Sequence, residues 1–127
     1  MFKTTTREVG TGAEDRALSL LQARGLQLVT RNYRVARGPS ARGGEIDLIL
    51  RDADGTLVFV EVRARRDGDH GGAAASIDAG KRRRLVRTAQ HYLMRLPELP
   101  PCRFDVVAVD GDDLTWLPAA FDAEGWA

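Results

Sequence analysis

The stretch that decides the fold is Glu45-Ile46-Asp47-Leu48-Ile49-Leu50-Arg51-Asp52, then Ala53-Asp54-Gly55, then Thr56-Leu57-Val58-Phe59-Val60-Glu61-Val62-Arg63. Two apolar runs around a short glycine-containing connection read as a β-hairpin, with the glycine in the left-handed position of a three-residue loop. Centring the loop on Asp54 pairs position 52 with 56, and therefore 47 with 61. Side-chain alternation supports that register. It sets Ile46, Leu48 and Leu50 on one face with Val58, Val60 and Val62, and it leaves Asp47 and Glu61 together on the other. A slip of one residue would mix the two sets. Directly opposed residues have Cβ atoms about 5 Å apart, where like charges repel. A divalent cation reverses that penalty, because hard cations take carboxylate oxygens.

Outward from the hairpin, a helix is expected from about Gly12 to Arg24. Thr11 serves as its N-cap, Glu14 follows three residues on, and Gly25 closes it. A strand follows from Leu26 to about Arg37, and residues 38–44 form a Gly-rich loop. Beyond the hairpin, Asp67 to Gly72 is a connection. Ser76 caps a second helix reaching about Leu96, stopped by Pro97, Pro100 and Pro101. Arg103 to Val109 reads as a strand, and Leu114 to Leu117 as a short last one across the turn Asp110-Gly111-Asp112-Asp113. The order αβββαβ(β) implies an α/β (α+β) domain, a central mixed β-sheet flanked by helices.

At 127 residues the chain is read as a single domain, residues 1–127, with a core over about 7–110 and an acidic C-terminal tail over 111–127. No apolar run approaches the ~20 residues that span a bilayer, and the first residues lack the apolar core of a signal peptide. A lone cysteine, Cys102, excludes an internal disulfide and gives no zinc-site spacing, so a cytoplasmic location is the simplest expectation. The net charge of +1 hides a gradient. Residues 31–87 carry 13 Lys and Arg against 8 Asp and Glu, whereas residues 106–127 carry five acids and neither base. A basic middle suits polyanions, although a solvated face accounts for the same arginines.

Asp47 and Glu61 are the first chemical candidates. Arg63 lies two residues beyond Glu61 and points the same way. A carboxylate pair with a nearby cation suits metal-dependent phosphodiester cleavage. The plainer alternative makes Glu61 and Arg63 surface residues of an edge strand, with Asp47 salt-bridged to Arg63. Glu14 is the third candidate, aimed from the first helix at the pair, although the capping box over 11–14 explains a glutamate there equally well. Glu45 is a fourth carboxylate on the Asp47 face. Lys81, Arg82, Arg83, Arg84 and Arg87 offer phosphate contacts, with Lys81 and Arg84 on one helix face and Arg83 and Arg87 on another. Arg31, Arg34, Arg37 and Arg42 form a second basic cluster. His70 reads as a solvent-exposed loop residue.

Gly12-x-Glu14-x-x-Ala17, Arg31-Asn32-Tyr33-Arg34, Gly44 to Ile49, Val58-Phe59-Val60-Glu61-Val62-Arg63-x-Arg65, Lys81 and Arg103 to Val107 resemble, in order and spacing, the YraN-type bacterial proteins. That resemblance covers about residues 7–110. It implies a restriction-endonuclease-like PD-(D/E)xK fold, similar to archaeal Holliday-junction resolvases, with a magnesium site at Glu14, Asp47 and Glu61. The family pattern carries Lys where this chain has Arg63. Arginine stays charged and has a larger, more rigid fork, so it orients a phosphate but is no substitute base. Lys81 is the candidate to fill that role.

The resulting expectation is a Mg²⁺- or Mn²⁺-dependent endonuclease-like protein acting on DNA, including branched or structured DNA. Asp47, Glu61 and the Val62 carbonyl would ligate the metal, Glu14 would hold a water or the metal, and Arg63 would position the phosphate. Arg31, Arg34, Arg65, Lys81, Arg82 and Arg84 would engage the nucleic-acid backbone. DNA is the expected partner, RNA stays open, and a homodimer follows if the resolvase analogy holds. The alternative is a catalytically impaired nuclease fold that binds nucleic acid or a partner protein.

Overall fold

The computed structural model describes residues 6–36, 43–65 and 77–122, with side chains from Gly12 onward and excepting that of Arg65. Its elements are α1 (Thr6–Ala23), β1 (Gln27–Val35), β2 (Gly44–Arg51), β3 (Leu57–Arg65), α2 (Ala79–Leu93), β4 (Cys102–Asp110) and β5 (Asp113–Phe121). The five strands form one sheet in the order β1-β2-β3-β4-β5. All neighbours are antiparallel except β3 and β4, which α2 joins as a parallel pair. This is the mixed sheet between two helices that the sequence implied.

The hairpin forms as read. Leu48 pairs with Val60, and Arg51 with Leu57. Asp52 N donates to the Thr56 carbonyl at 2.8 Å, and Gly55 takes φ 91°, a conformation that costs glycine nothing. Leu48, Leu50, Val58 and Val60 are buried under α1, against Ala13, Ala17 and Leu21, with Val62 partly buried beside them. Ile49, Leu57 and Phe59 face the other way, under Leu85, Ala89 and Leu93 of α2. Phe59, Phe104 and Phe121 stack in sequence on that side, with centroids 5.4 and 4.9 Å apart.

One expectation about the hairpin is corrected. Ile46 does not pack with Leu48 and Leu50; it joins Ile49 and Tyr33 in the α2-side core. The alternation breaks at Asp47. The β1–β2 register passes over the Asn32/Asp47 position, and Asn32 adopts φ 51°. Asparagine tolerates that left-handed region better than most residues.

The helix ends also differ from expectation. Helix α1 begins at Thr6, not Gly12, so Thr11 is no N-cap and Glu14 lies inside the helix. Its end is as read: Leu26 N donates to the Leu21 carbonyl and Gly25 N to the Gln22 carbonyl, with Gly25 at φ 96°. That is a Schellman closure, with Leu21 and Leu26 both buried beneath it. The cap of α2 is Asp78, whose Oδ1 accepts from Lys81 N at 2.8 Å. Ser76, Arg37, Arg42 and His70 lie outside the described residues. Helix α2 ends at Leu93, three residues before the expected Leu96.

The region read as an acidic tail contains a full strand. Strand β5 spans Asp113–Phe121 and pairs along β4 from Asp110↔Asp113 to Phe104↔Phe121. Its register shifts between Phe104 and Val106. Pro118 sits in that irregularity, where a missing N–H is tolerated. Asp105 is fully buried there. It accepts from Trp116 Nε1 at 2.9 Å, Ala119 N at 2.9 Å and Arg103 Nε at 3.0 Å.

Candidate functional site

The site lies where β2 and β3 separate. Asp47 stands one step beyond the last β2–β3 pair, opposite Glu61. Its Oδ2 accepts from Val62 N at 2.8 Å, so a side chain takes the bond that a strand carbonyl would otherwise accept. Val62 therefore meets Asp47 through its N–H. The Asp47 and Glu61 carboxyl groups face the same space and interact directly. Burial first, then the Glu61 charge, push the Asp47 carboxyl from its ordinary 3.8 up to about 7, against the lowering effect of the Val62 N–H.

Glu61 is itself buried, at 7% exposure. Its Oε2 accepts no hydrogen bond among the described residues. The Lys81 ammonium stands 3.5 Å from it, reaching in from the first turn of α2. Glu61 thus keeps a buried, electron-rich oxygen aimed beside a second carboxylate. That is the donor character a hard divalent cation needs. Among the described residues no three His, Cys, Asp or Glu side chains form a ready-made cluster for an ion. The fit therefore rests on the Asp47–Glu61 pair, with the remaining ligands left to backbone, water or substrate.

Glu14 approaches from α1. Because the helix runs back to Thr6, the capping explanation for this glutamate falls away. Burial and the Asp47 charge raise its pKa, while Arg31 lowers it. Glu45 adds charge to both Glu14 and Asp47. Asn32 ties these acids together. With its amide nitrogen turned toward them, it donates to Glu45 Oε1 at 3.1 Å and Glu14 Oε1 at 3.2 Å. Asn32 is not among the expected site residues; its signals in the sequence are its place in Arg31-Asn32-Tyr33-Arg34 and an asparagine inside a strand, where that residue is disfavoured.

The expected cations divide into groups. Arg63 lies near enough to the start of α2 for its charge to lower the Asp78 pKa, behind the larger effect of the Lys81 N–H. Arg34 is 74% exposed and pairs with Glu45 at 3.4 Å. With Lys81 and Arg84 it lines a groove beside the carboxylates. Arg31 is drawn onto α1 by Asp15 at 2.7 Å and Glu14 at 3.8 Å. Arg82 turns away from the carboxylates: its Nε donates to the Ile77 carbonyl, and its guanidinium lies 5.4 Å from the Phe121 ring centroid. Arg65 ends β3.

A five-stranded mixed sheet between two helices, with acids gathered where its β2–β3 hairpin opens, defines an α+β fold. The chain belongs to the family described as Uncharacterised protein family UPF0102, which matches residues 13–109, the YraN-type family of the resemblance above. A UPF0102 protein of Methylibium petroleiphilum is 65% identical over 119 residues, covering 94% of this chain and 98% of the relative. Another, from Paracidovorax citrulli, is 65% identical over 121 residues, covering 95% and 87%. Among solved structures, one described as the crystal structure of SSO0001 aligns with a TM-score of 0.46 at 14% identity. It covers 97% of this chain, which spans 57% of that chain's length.

Proposed function

We propose that this chain is a Mg²⁺- or Mn²⁺-dependent endonuclease-like protein acting on DNA, including branched or structured DNA. The observation that carries this reading is the Asp47–Glu61 pair, half-buried at Asp47 and buried at Glu61, with the Glu61 Oε2, which accepts no hydrogen bond among the described residues, beside the Lys81 ammonium. Such a pair is unfavourable in a protein that has no use for it, and pairs of this kind concentrate at functional sites. Asp47 and Glu61 would hold the cation, with the Val62 carbonyl as a further oxygen and Glu14 holding a water or the ion. When bound, the cation would acidify a water and offset charge developing on the phosphate. Lys81 supplies the ammonium that Arg63 cannot replace, because its charge is compact and its proton exchangeable. Arg63 orients the phosphate, and Arg34 and Arg84 hold the flanking backbone.

Nuclease assays on linear and four-way DNA with Mn²⁺ test this, comparing wild type with Asp47→Ala. Cleavage by wild type alone is expected. Metal-dependent cleavage that persists in Asp47→Ala would reject the site. A four-way junction needs two cuts, so a homodimer belongs to that branch of the reading; sedimentation with junction DNA checks it.

The second reading is a nuclease fold kept for binding nucleic acid or a partner protein. Arg63, at the position where the family pattern has Lys, favours it. Titration calorimetry separates the two. Mn²⁺ heat that vanishes in Glu61→Ala supports an ion at the pair; no heat, with salt-sensitive DNA binding, supports the module.

A further inference from the structure

Helix α2 separates two basic grooves on its side of the sheet. The first, about 410 Å³, lies toward β1 and β2, where Arg34, Glu45, Lys81 and Arg84 line it. It adjoins the carboxylates, since Lys81 is the partner of Glu61. The second, about 620 Å³, lies toward β5. Arg82, Arg83, Arg87, Gln90, Phe121 and Asp122 line it, and the proposed active site uses none of them; Arg82 points there and not toward the acids. Arg83 and Arg87 are exposed, one helical turn apart, and Arg87 sits on the crest of the helix, where it also lines a smaller hollow with Arg84, Val35 and Gly43 on the first side. Like charges at that spacing repel by a few tenths of a kcal/mol, a repulsion that a polyanion relieves.

The spacing of the grooves selects the polyanion. They are separated by the width of one helix, about 10–12 Å with side chains. The major groove of B-form DNA is about 12 Å wide, with phosphates along both rims. A helix with cations on both flanks matches that opening. The deep, narrow major groove of A-form RNA does not admit it, and a single strand reaches only one flank.

We propose that α2 enters the major groove of double-stranded DNA. One strand runs along the first groove and presents its phosphodiester to Asp47, Glu61 and Lys81; the complementary strand is held by Arg83 and Arg87 in the second. The role given to the first groove rests on the nuclease reading, and the inference narrows its substrate to B-form duplex.

Fluorescence anisotropy in EDTA tests it, with a DNA duplex, one of its strands alone and an RNA duplex of the same sequence. The proteins are wild type, Arg83→Ala/Arg87→Ala and Arg84→Ala. The double variant is expected to weaken duplex DNA binding on the order of tenfold and to flatten its log–log salt slope by about 1.8, or about 0.9 per lost phosphate contact. Its single-strand affinity falls less than its duplex affinity, Arg84→Ala weakens both, and wild type favours the DNA duplex over the RNA duplex. Equal loss on single strand and duplex, no loss on duplex, or RNA duplex bound as tightly as DNA would each overturn the proposal. No cleavage enters these measurements, so absence of nuclease activity would sink the catalytic reading while leaving this result to be judged alone. Circular dichroism establishes that the exposed substitutions leave the fold intact.

Discussion

Asp47 shows how one residue sets stability against function. Its folded-state pKa of about 7 lies above the ordinary 3.8, so the folded protein holds this proton more tightly than the unfolded chain does. The stabilisation is fully present below about pH 4 and is lost as pH rises through 7. Asp47→Asn keeps an oxygen for Val62 N–H and can donate to Glu61. At pH 8 it should be more stable than wild type by about 2 kcal/mol, and its stability should lose the pH 4–7 slope. Urea denaturation across that range measures both. Glu14 is the opposite lesson in legibility. Thr11 and Glu14 imitate a helix start so well that local sequence alone placed the N-terminus six residues late; nothing between Thr6 and Thr11 announces that the helix continues backward. Asn32 was illegible for another reason, because a left-handed residue within a strand answers to the acids around it and not to its neighbours in sequence.

Helix α2 and the β4–β5 pair are each held by a single carboxylate. Asp78 caps α2 at Lys81 N, which also fixes the turn from which Lys81 reaches Glu61. Asp78→Ala should destabilise the first turn of α2, and it should weaken Mn²⁺ or DNA binding in parallel with Lys81→Ala. Asp105 is more costly to lose. Asp105→Ala strands the Trp116 indole N–H, the Ala119 N–H and the Arg103 Nε–H without their acceptor, while the Arg103 guanidinium keeps Asp52. A penalty of about 3 kcal/mol is expected, readable in the Trp116 fluorescence transition. The β2–β3 hairpin was legible because alternation, Gly55 and a three-residue loop agreed on one register. Strand β5 was legible only over Leu114 to Leu117; its acidic start, Pro118 and the bulge hid the rest, which contact with β4 makes a strand. The Lys81–Glu61 ion pair joins residues 20 apart across a parallel crossover, a distance that no periodicity encodes.

At the scale of the molecule, an ion that binds only the folded state stabilises all of it. Mn²⁺ at about 100 times its Kd would add about 2.7 kcal/mol, enough to raise Tm by several degrees. Wild type should shift, and Asp47→Asn and Glu61→Gln should not; a shift retained by both variants would place the ion elsewhere. The same two-sided architecture explains why the carboxylates can be kept at all. With α1 covering one face and α2 the other, the sheet's apolar layers carry the stability, and the repelling acids are confined to the end of the hairpin where the strands diverge. The net charge of +1 says nothing of this arrangement, in which five Lys and Arg side chains sit on α2 and Glu61 lies against Lys81 of its first turn.

Lys3 and Lys81 are the chain's only lysines. In a protein whose other basic side chains are arginines, amine chemistry has very few targets, and one of them contacts Glu61. Reductive methylation or an acylating reagent therefore becomes a spatial reporter without any engineering. Mass spectrometry of the Lys81 peptide, with and without Mn²⁺ or duplex, would read occupancy of that corner directly as protection from the reagent.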